Sequence, residues 1–247
     1  MTDSLPLTSL PLFPLGTVLY PGGFLPLRIF EVRYLDMIGK CHKTGAPFGV
    51  VALTEGLEVR RPASPKAESA GSGTGSGSGA SGAGGTAGAP DAAPPSGDGF
   101  AIEAFNDVGT LARIDELTVP QPGLMMIRCT GMQRFQIARR EKLKHGLWIA
   151  DVARLPDDQS IPIPDDLQRV ASALGGVIRT LQQRGVPPGQ MPLQPPYRLE
   201  DCSWVANRWC ELLPMPLDLK QRMMALDNPL VRLELVSDML ERTGIAI

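Results

Sequence analysis

The sequence predicts an α+β protein, in which a β-rich, strongly bent N-terminal sheet or barrel with one packed helix precedes a bundle of about four helices. Three observations predict it. Short apolar runs punctuated by proline and glycine fill the first 155 positions, apolar residues at helical spacing dominate from 156 onward, and a Gly/Ser/Ala-rich stretch separates two runs that each read as a core strand. The expected organisation is a β-rich domain over 1–155 and a helical domain over 156–247.

The first element is "LPLFPLGTVLYPGGFLPLRIFEVRYLDMI", Leu10 to Ile38. Leu10–Leu15 and Thr17–Tyr20 read as two short extended runs, and Pro21-Gly22-Gly23 is a strong turn signal. From Phe30 the period changes to that of an amphipathic helix. Tyr34, Leu35 and Ile38 share its inner face, Arg33 and Asp36 fall on its exposed side, and Glu31 sits in the first turn, where a carboxylate suits the helix dipole.

"FGVVAL" (Phe48–Leu53) and "DVGTLARI" (Asp107–Ile114) read as core strands, and between them lies the stretch Ser64–Gly99. That stretch holds no large apolar residue, so it cannot repay its ordering entropy by burial and is expected to be disordered. Neither flank resembles a domain by itself. Loop closure costs only about 0.6 kcal/mol per doubling of loop length, so the stretch is expected to be an insertion inside one domain.

Strand grammar resumes in "TLARIDELTV", "LMMIRCTGMQRFQIARREKL" and "LWIADVARL", with Gly131 marking a bulge or bend and His145-Gly146 a tight connection. After Pro156–Pro164, "DDLQRVASALGGVIRTLQQRG" is a helix with Asp165 as its cap and Gly185 as its stop. A Pro-rich loop runs to Pro196. Three further helices follow in "SWVANRWCELL", "LDLKQRMMALD" and "NPLVRLELVSDMLERTG". Trp204, Trp209, Met223, Met224 and Met239 fit their packed faces.

Composition bounds the function. An apolar fraction of 43% supplies a real core, and a formal net charge of −2 gives no global footprint for nucleic acid. The four cysteines lack both the paired spacing of a zinc site and the density of a disulfide framework, so they read as buried thiols in a reducing compartment. No run of about eighteen apolar residues is present, and no basic signal-like start. The expectation is a soluble cytoplasmic protein that engages no membrane.

Catalytic motifs are missing as well. Gly39-Lys40 is followed by Cys41 and has no glycine five residues earlier, so no phosphate cradle forms there. His42 and His145 lie in no motif that would position them as bases. Arg139, Arg140, Lys142, Lys144 and His145 make the one basic run, but Glu141 interrupts it and no aromatic residue offers a stacking platform. A solvated hairpin is the simpler reading.

Taken together, the opening block, "FGVV", "VGTLARI", "GMQRFQI" and "ANRWCELLPMPLDLKQRMMALDNPLVRLELVSDML" resemble the N-terminal substrate-recognition domain of the ATP-dependent Lon protease, in its stand-alone bacterial form. The resemblance spans nearly the whole chain outside the Gly/Ser insertion. It implies a PUA-like pseudo-barrel followed by helices, and a non-enzymatic protein-binding module whose ligand is an unfolded protein segment or a protein partner. The ATPase and Ser-Lys protease modules are expected to be absent. Candidate contact residues are Tyr20, Pro21, Phe24, Arg28 and Arg33; no catalytic residue, metal or cofactor is expected. The alternatives are a PUA-like nucleic-acid-binding protein, which would need a continuous basic groove, and an accessory subunit of an ATP-dependent protease.

Overall fold

The structure is a computed structural model that describes residues 6–55 and 103–244. The Ser64–Gly99 insertion lies outside the described residues. Among the described residues, seven strands form one sheet: β1 (Leu7–Leu15), β2 (Phe24–Ile29), β3 (Phe48–Glu55), β4 (Ala104–Phe105), β5 (Val108–Gln121), β6 (Leu124–Lys142) and β7 (Trp148–Arg154). They run in the order β1-β7-β6-β5-β3-β4, and β1 pairs back onto β3 in parallel, so the strand path closes on itself. Strand β2 stands off this path and, among the described residues, pairs only with β6.

Helix α1 (Val32–Thr44) packs its Tyr34, Met37, Ile38 and Cys41 face on the sheet, with the Phe13 and Tyr34 rings stacked at 4.0 Å. It ends at Gly45, whose φ of +67° is the left-handed cap that glycine supplies without strain. The helical half contains α2 (Gln168–Gln183), α3 (Cys202–Leu212), α4 (Leu217–Ala225) and α5 (Pro229–Arg242). Side-chain caps fix two of their starts. Asp201 Oδ1 accepts from the Ser203 N–H at 2.9 Å, and Asn228 Oδ1 accepts from the Leu230 N–H at 3.0 Å with Pro229 in the first turn.

Three local expectations are corrected. Thr17–Tyr20 is not a strand; the strand follows the Pro21–Gly23 turn, as β2. The reason is the bonding around it: the Leu19 carbonyl accepts from the Thr110 hydroxyl, and the Tyr20 carbonyl accepts from Gly23 N–H, so neither joins a ladder. Glu31 is the N-cap residue rather than part of the first turn, and its carboxylate turns to Arg33 instead of capping. Asp165 opens a short 3-10 turn, Asp165–Leu167, and α2 begins only at Gln168.

Burial among the described residues falls into three apolar clusters. One lies between sheet and α1 around Phe13, Phe48, Ile38 and Ile127; a second lies within the strand ring around Leu12, Val51, Phe135 and Val152. The third fills the helical half around Leu174, Val205, Trp209 and Leu233, but it also includes Val18, Tyr20 and Ala52 from the N-terminal region. The helices therefore share a core with the sheet. A buried ion cluster reinforces this contact: the Asp158 carboxylate meets Arg134 of β6 at 3.2 Å and Arg232 of α5 at 2.6 Å, and accepts from Ser203 of α3 at 2.8 Å.

Candidate functional site

The sharp turn Tyr20–Gly23 is held where the sheet meets the helices. Gly22 takes φ +68°, its N–H donates to the Gly131 carbonyl at 2.8 Å, and Gly131 N–H donates to the Gly23 carbonyl at 2.8 Å. A Cβ on Gly131 would lie 2.2 Å from the Tyr20 carbonyl oxygen, so only glycine lets β6 approach this closely. The bulge expected at Gly131 sits just beyond it: two residues of β6, Met132 and Gln133, oppose one of β5, Leu111, between the pairs Ala112–Gly131 and Thr110–Arg134. From α3, Arg208 donates to the carbonyls of Pro21 (2.9 Å) and Gly22, and it pairs with Glu211 at 2.8 Å. The turn is clamped from both halves.

Phe24 follows the turn. It is half-buried, with the Arg128 guanidinium 4.8 Å from its ring centroid, and a cavity opens on each side of it. One cavity, of about 360 Å³, lies between Val18, Leu25 and Pro26 on the sheet side and Met191, Leu212 and Lys220 on the helical side. The other, of about 440 Å³, is more polar and is lined by Pro21, Thr130, Asp157, Pro196, Arg198 and Trp204. Phe24 lines both, so the two form a groove along the sheet–helix junction with its ring as the dividing ridge.

The floor of the first cavity is electrostatically unusual. Burial pushes the Glu211 carboxyl up to about 7, while Arg208 and Lys220 pull it down and keep it near neutrality. Burial likewise lowers Arg208, and it pushes the Cys210 thiol up to about 11. Tyr20 rises furthest of these, chiefly through burial and then through Cys210, so its phenol stays protonated. None of these groups is tuned toward nucleophilic chemistry.

The structure sorts the five sequence candidates. Pro21 and Phe24 come together in the groove, and Arg28 is exposed on the same outer face of β2 as Phe24, two alternations along. Tyr20 is withdrawn: its side chain is fully buried and its hydroxyl donates to the Lys220 carbonyl at 2.7 Å. Arg33 is withdrawn too, against the expectation of an exposed position. It donates to the Gly146 carbonyl (2.7 Å), pairs with Glu31 and Glu103 (each 3.1 Å) and lies over the Tyr34 ring. Sequence reasoning missed Arg128, Met191, Leu212 and Glu211. The one available signal was Met191 inside the Pro-rich loop, an apolar residue with no local partner that proves buried.

Other features carry less. A cavity of about 360 Å³ beside α1 is lined by Pro11, Val32, Cys41, His145 and Leu147, and burial raises the Cys41 thiol away from reactivity. His42 and His145 are exposed. Along the basic hairpin, Arg139 faces Glu141, Arg140 faces Asp107 and Lys142 faces Glu103, so acids interleave with its cations. Among the described residues, no group of three or more histidine, cysteine or acidic side chains could hold a metal ion, and no helix is long and apolar enough to cross a membrane.

Comparison with known proteins gives two kinds of match. The family model of the ATP-dependent protease La (LON) substrate-binding domain matches residues 9–242. Among solved structures, a Lon N-terminal domain protein from Xanthomonas campestris is similar at 24% identity and a TM-score of 0.63, over 94% of this chain and 98% of that one. The N-terminal domain of the Mycobacterium avium complex Lon protease is similar at 13% identity and a TM-score of 0.51, over 93% and 96%. Both likenesses are of fold. No curated protein matches the chain.

Proposed function

The chain belongs to the family of Lon substrate-binding domains, and from that premise we propose that it is a non-catalytic recognition module that binds unfolded protein segments in the groove at the sheet–helix junction. The observation that carries this reading is Phe24, an aromatic ridge between two cavities, set by a turn that both halves of the molecule clamp. A recogniser of many sequences cannot rely on one charged pocket; it needs apolar surface and backbone contacts, and the groove with β2 offers both. Pro21, Phe24 and Arg28 make the contacts, whereas Tyr20 and Arg33 hold the scaffold. In this reading the strand ring is PUA-like, the chain divides near 155/156 into a β-rich and a helical domain, and the four buried free thiols suit a reducing cytoplasm.

Titrating a permanently unfolded protein, a folded control and a single-stranded RNA at about 50 and 200 mM salt tests this function. Preference for the unfolded chain that survives the higher salt supports it. Binding to RNA alone, falling steeply with salt, would replace it with the nucleic-acid reading.

A further inference from the structure

The hydrogen-bond parity of β2 tells which of its backbone groups are free. In an antiparallel pair, opposed residues alternate between exchanging both backbone bonds and pointing them away from each other. Gly131 N–H donates to the Gly23 carbonyl, which makes Gly23–Gly131 a bonded position. Counting along the register, Leu25–Cys129, Leu27–Ile127 and Ile29–Met125 are bonded too, and Phe24–Thr130, Pro26–Arg128 and Arg28–Met126 are not. Proline agrees with this count, because Pro26 has no N–H to give β6 and its residue falls in the outward set. The outward edge of β2 therefore offers the N–H of Phe24 and Arg28 and the C=O of Phe24, Pro26 and Arg28. Among the described residues none of these five groups has a hydrogen-bond partner.

An unpaired edge reading "FLPLRI" is a standing aggregation hazard, which proteins ordinarily cover. Among the described residues it is blunted by Pro26 and Arg28 alone, which disfavour pairing with a second copy while leaving two donors and three acceptors open. We propose that an extended segment of an unfolded polypeptide adds to this edge as an extra strand, bonding Phe24, Pro26 and Arg28 through its backbone while a neighbouring apolar side chain enters the cavity beside Leu25 and Met191. This rests on the proposed function and specifies its mode. Backbone pairing accounts for tolerance of sequence, since every residue except proline brings the same groups; it also sets the ligand class as extended, proline-free and apolar at alternate positions.

The probe is a labelled peptide of alternating leucine and threonine with lysine-flanked ends, made in two further forms with N-methyl groups on one or the other alternate set of amides. Strand addition predicts that one methylated form binds about tenfold more weakly and the other nearly as well as the parent. It also predicts that peptide binding slows hydrogen exchange at the Phe24 and Arg28 amides and leaves Leu25 and Leu27 unchanged. On the protein, Arg28→Pro removes an outward donor that β6 does not use, so it should weaken binding more than Arg28→Ala does. Equal affinity of both methylated forms, or an equal loss in both, overturns strand addition while leaving groove binding in place. If the parent peptide fails to bind at all, both the mode and the function fail.

Discussion

Asp158 and Arg232 form a two-point ion pair, with Nη1 2.6 Å from Oδ2 and Nη2 3.3 Å from Oδ1, and both side chains are almost wholly buried. Arg232 lies on the last helix and Asp158 in the loop after β7, so the pair fastens the segment leaving the sheet to the helices. Arg134 of β6 completes the tie through the same carboxylate. Removing one partner of a buried pair strands the other charge, and Asp158→Ala should cost about 3–5 kcal/mol in urea unfolding. A loss below about 1 kcal/mol would mean that the tie adds little.

The same carboxylate sets an acid limit. Burial alone would raise its pKa, but hydrogen bonds and charge from Arg232, with Ser203 and Arg134, outweigh burial and hold it below the usual aspartate value. Its contribution is therefore fully present above the unfolded pKa of about 3.9 and is lost as pH falls through the lower folded value. Unfolding midpoints measured below about pH 4 should fall more steeply in the parent protein than in Asp158→Asn.

Glu211 predicts the opposite slope. Its carboxyl is raised by burial to about 7, so the stability it contributes is complete below its unfolded value and is lost as pH rises through 7. Between about pH 5 and 8 the parent should lose stability relative to Glu211→Gln, whose slope is flatter across that window. Parallel pH profiles for the two proteins would place the carboxyl at an ordinary value instead.

Gly131→Ala tests the docking of the turn. A Cβ there would lie 2.2 Å from the Tyr20 carbonyl and 3.0 Å from Leu19, contacts that force backbone to move. Overpacking of this kind costs about 1–3 kcal/mol, and the displaced turn should weaken binding in the groove as well. Gly39→Ala, where the nearest atom is at 4.0 Å, is the matched control for alanine in place of glycine.

Arg33→Ala should cost about 3 kcal/mol or more in thermal or urea unfolding, because Glu103 and Glu31 lose their buried cation. Asp36→Ala, on the exposed face of α1, should change stability by less than about 0.5 kcal/mol. Similar small losses in both would return Arg33 to the surface role that the sequence suggests.

Much of the architecture was legible in the sequence. The strands β5 to β7 show as apolar stretches divided by turn residues, and the four C-terminal helices show as 3.6-residue periodicity divided by prolines. Thr17–Tyr20 misleads because an apolar run between proline and glycine looks the same whether it joins a ladder or packs as irregular chain. What decides it is the Thr110 hydroxyl, ninety-one residues away. Arg33 misleads because helical spacing places a charge on a face without saying what lies opposite, and Glu103 is seventy residues distant. The groove was legible only on one wall. Phe24 and Pro21 stand in a marked turn, whereas Met191, Leu212 and Arg208 reach them through tertiary packing that leaves no local pattern.

The most direct test of the groove is the affinity of Phe24→Ala for a permanently unfolded polypeptide, measured beside its unfolding midpoint and beside Val231→Ala on the exposed face of α5. Losing a contacted phenylalanine removes about 1.5–3 kcal/mol of apolar burial in the complex, so binding should fall roughly tenfold or more while the fold survives and the Val231 variant binds as the parent does. Unchanged affinity in a folded Phe24→Ala protein would contradict the assignment of the junction groove as the binding site.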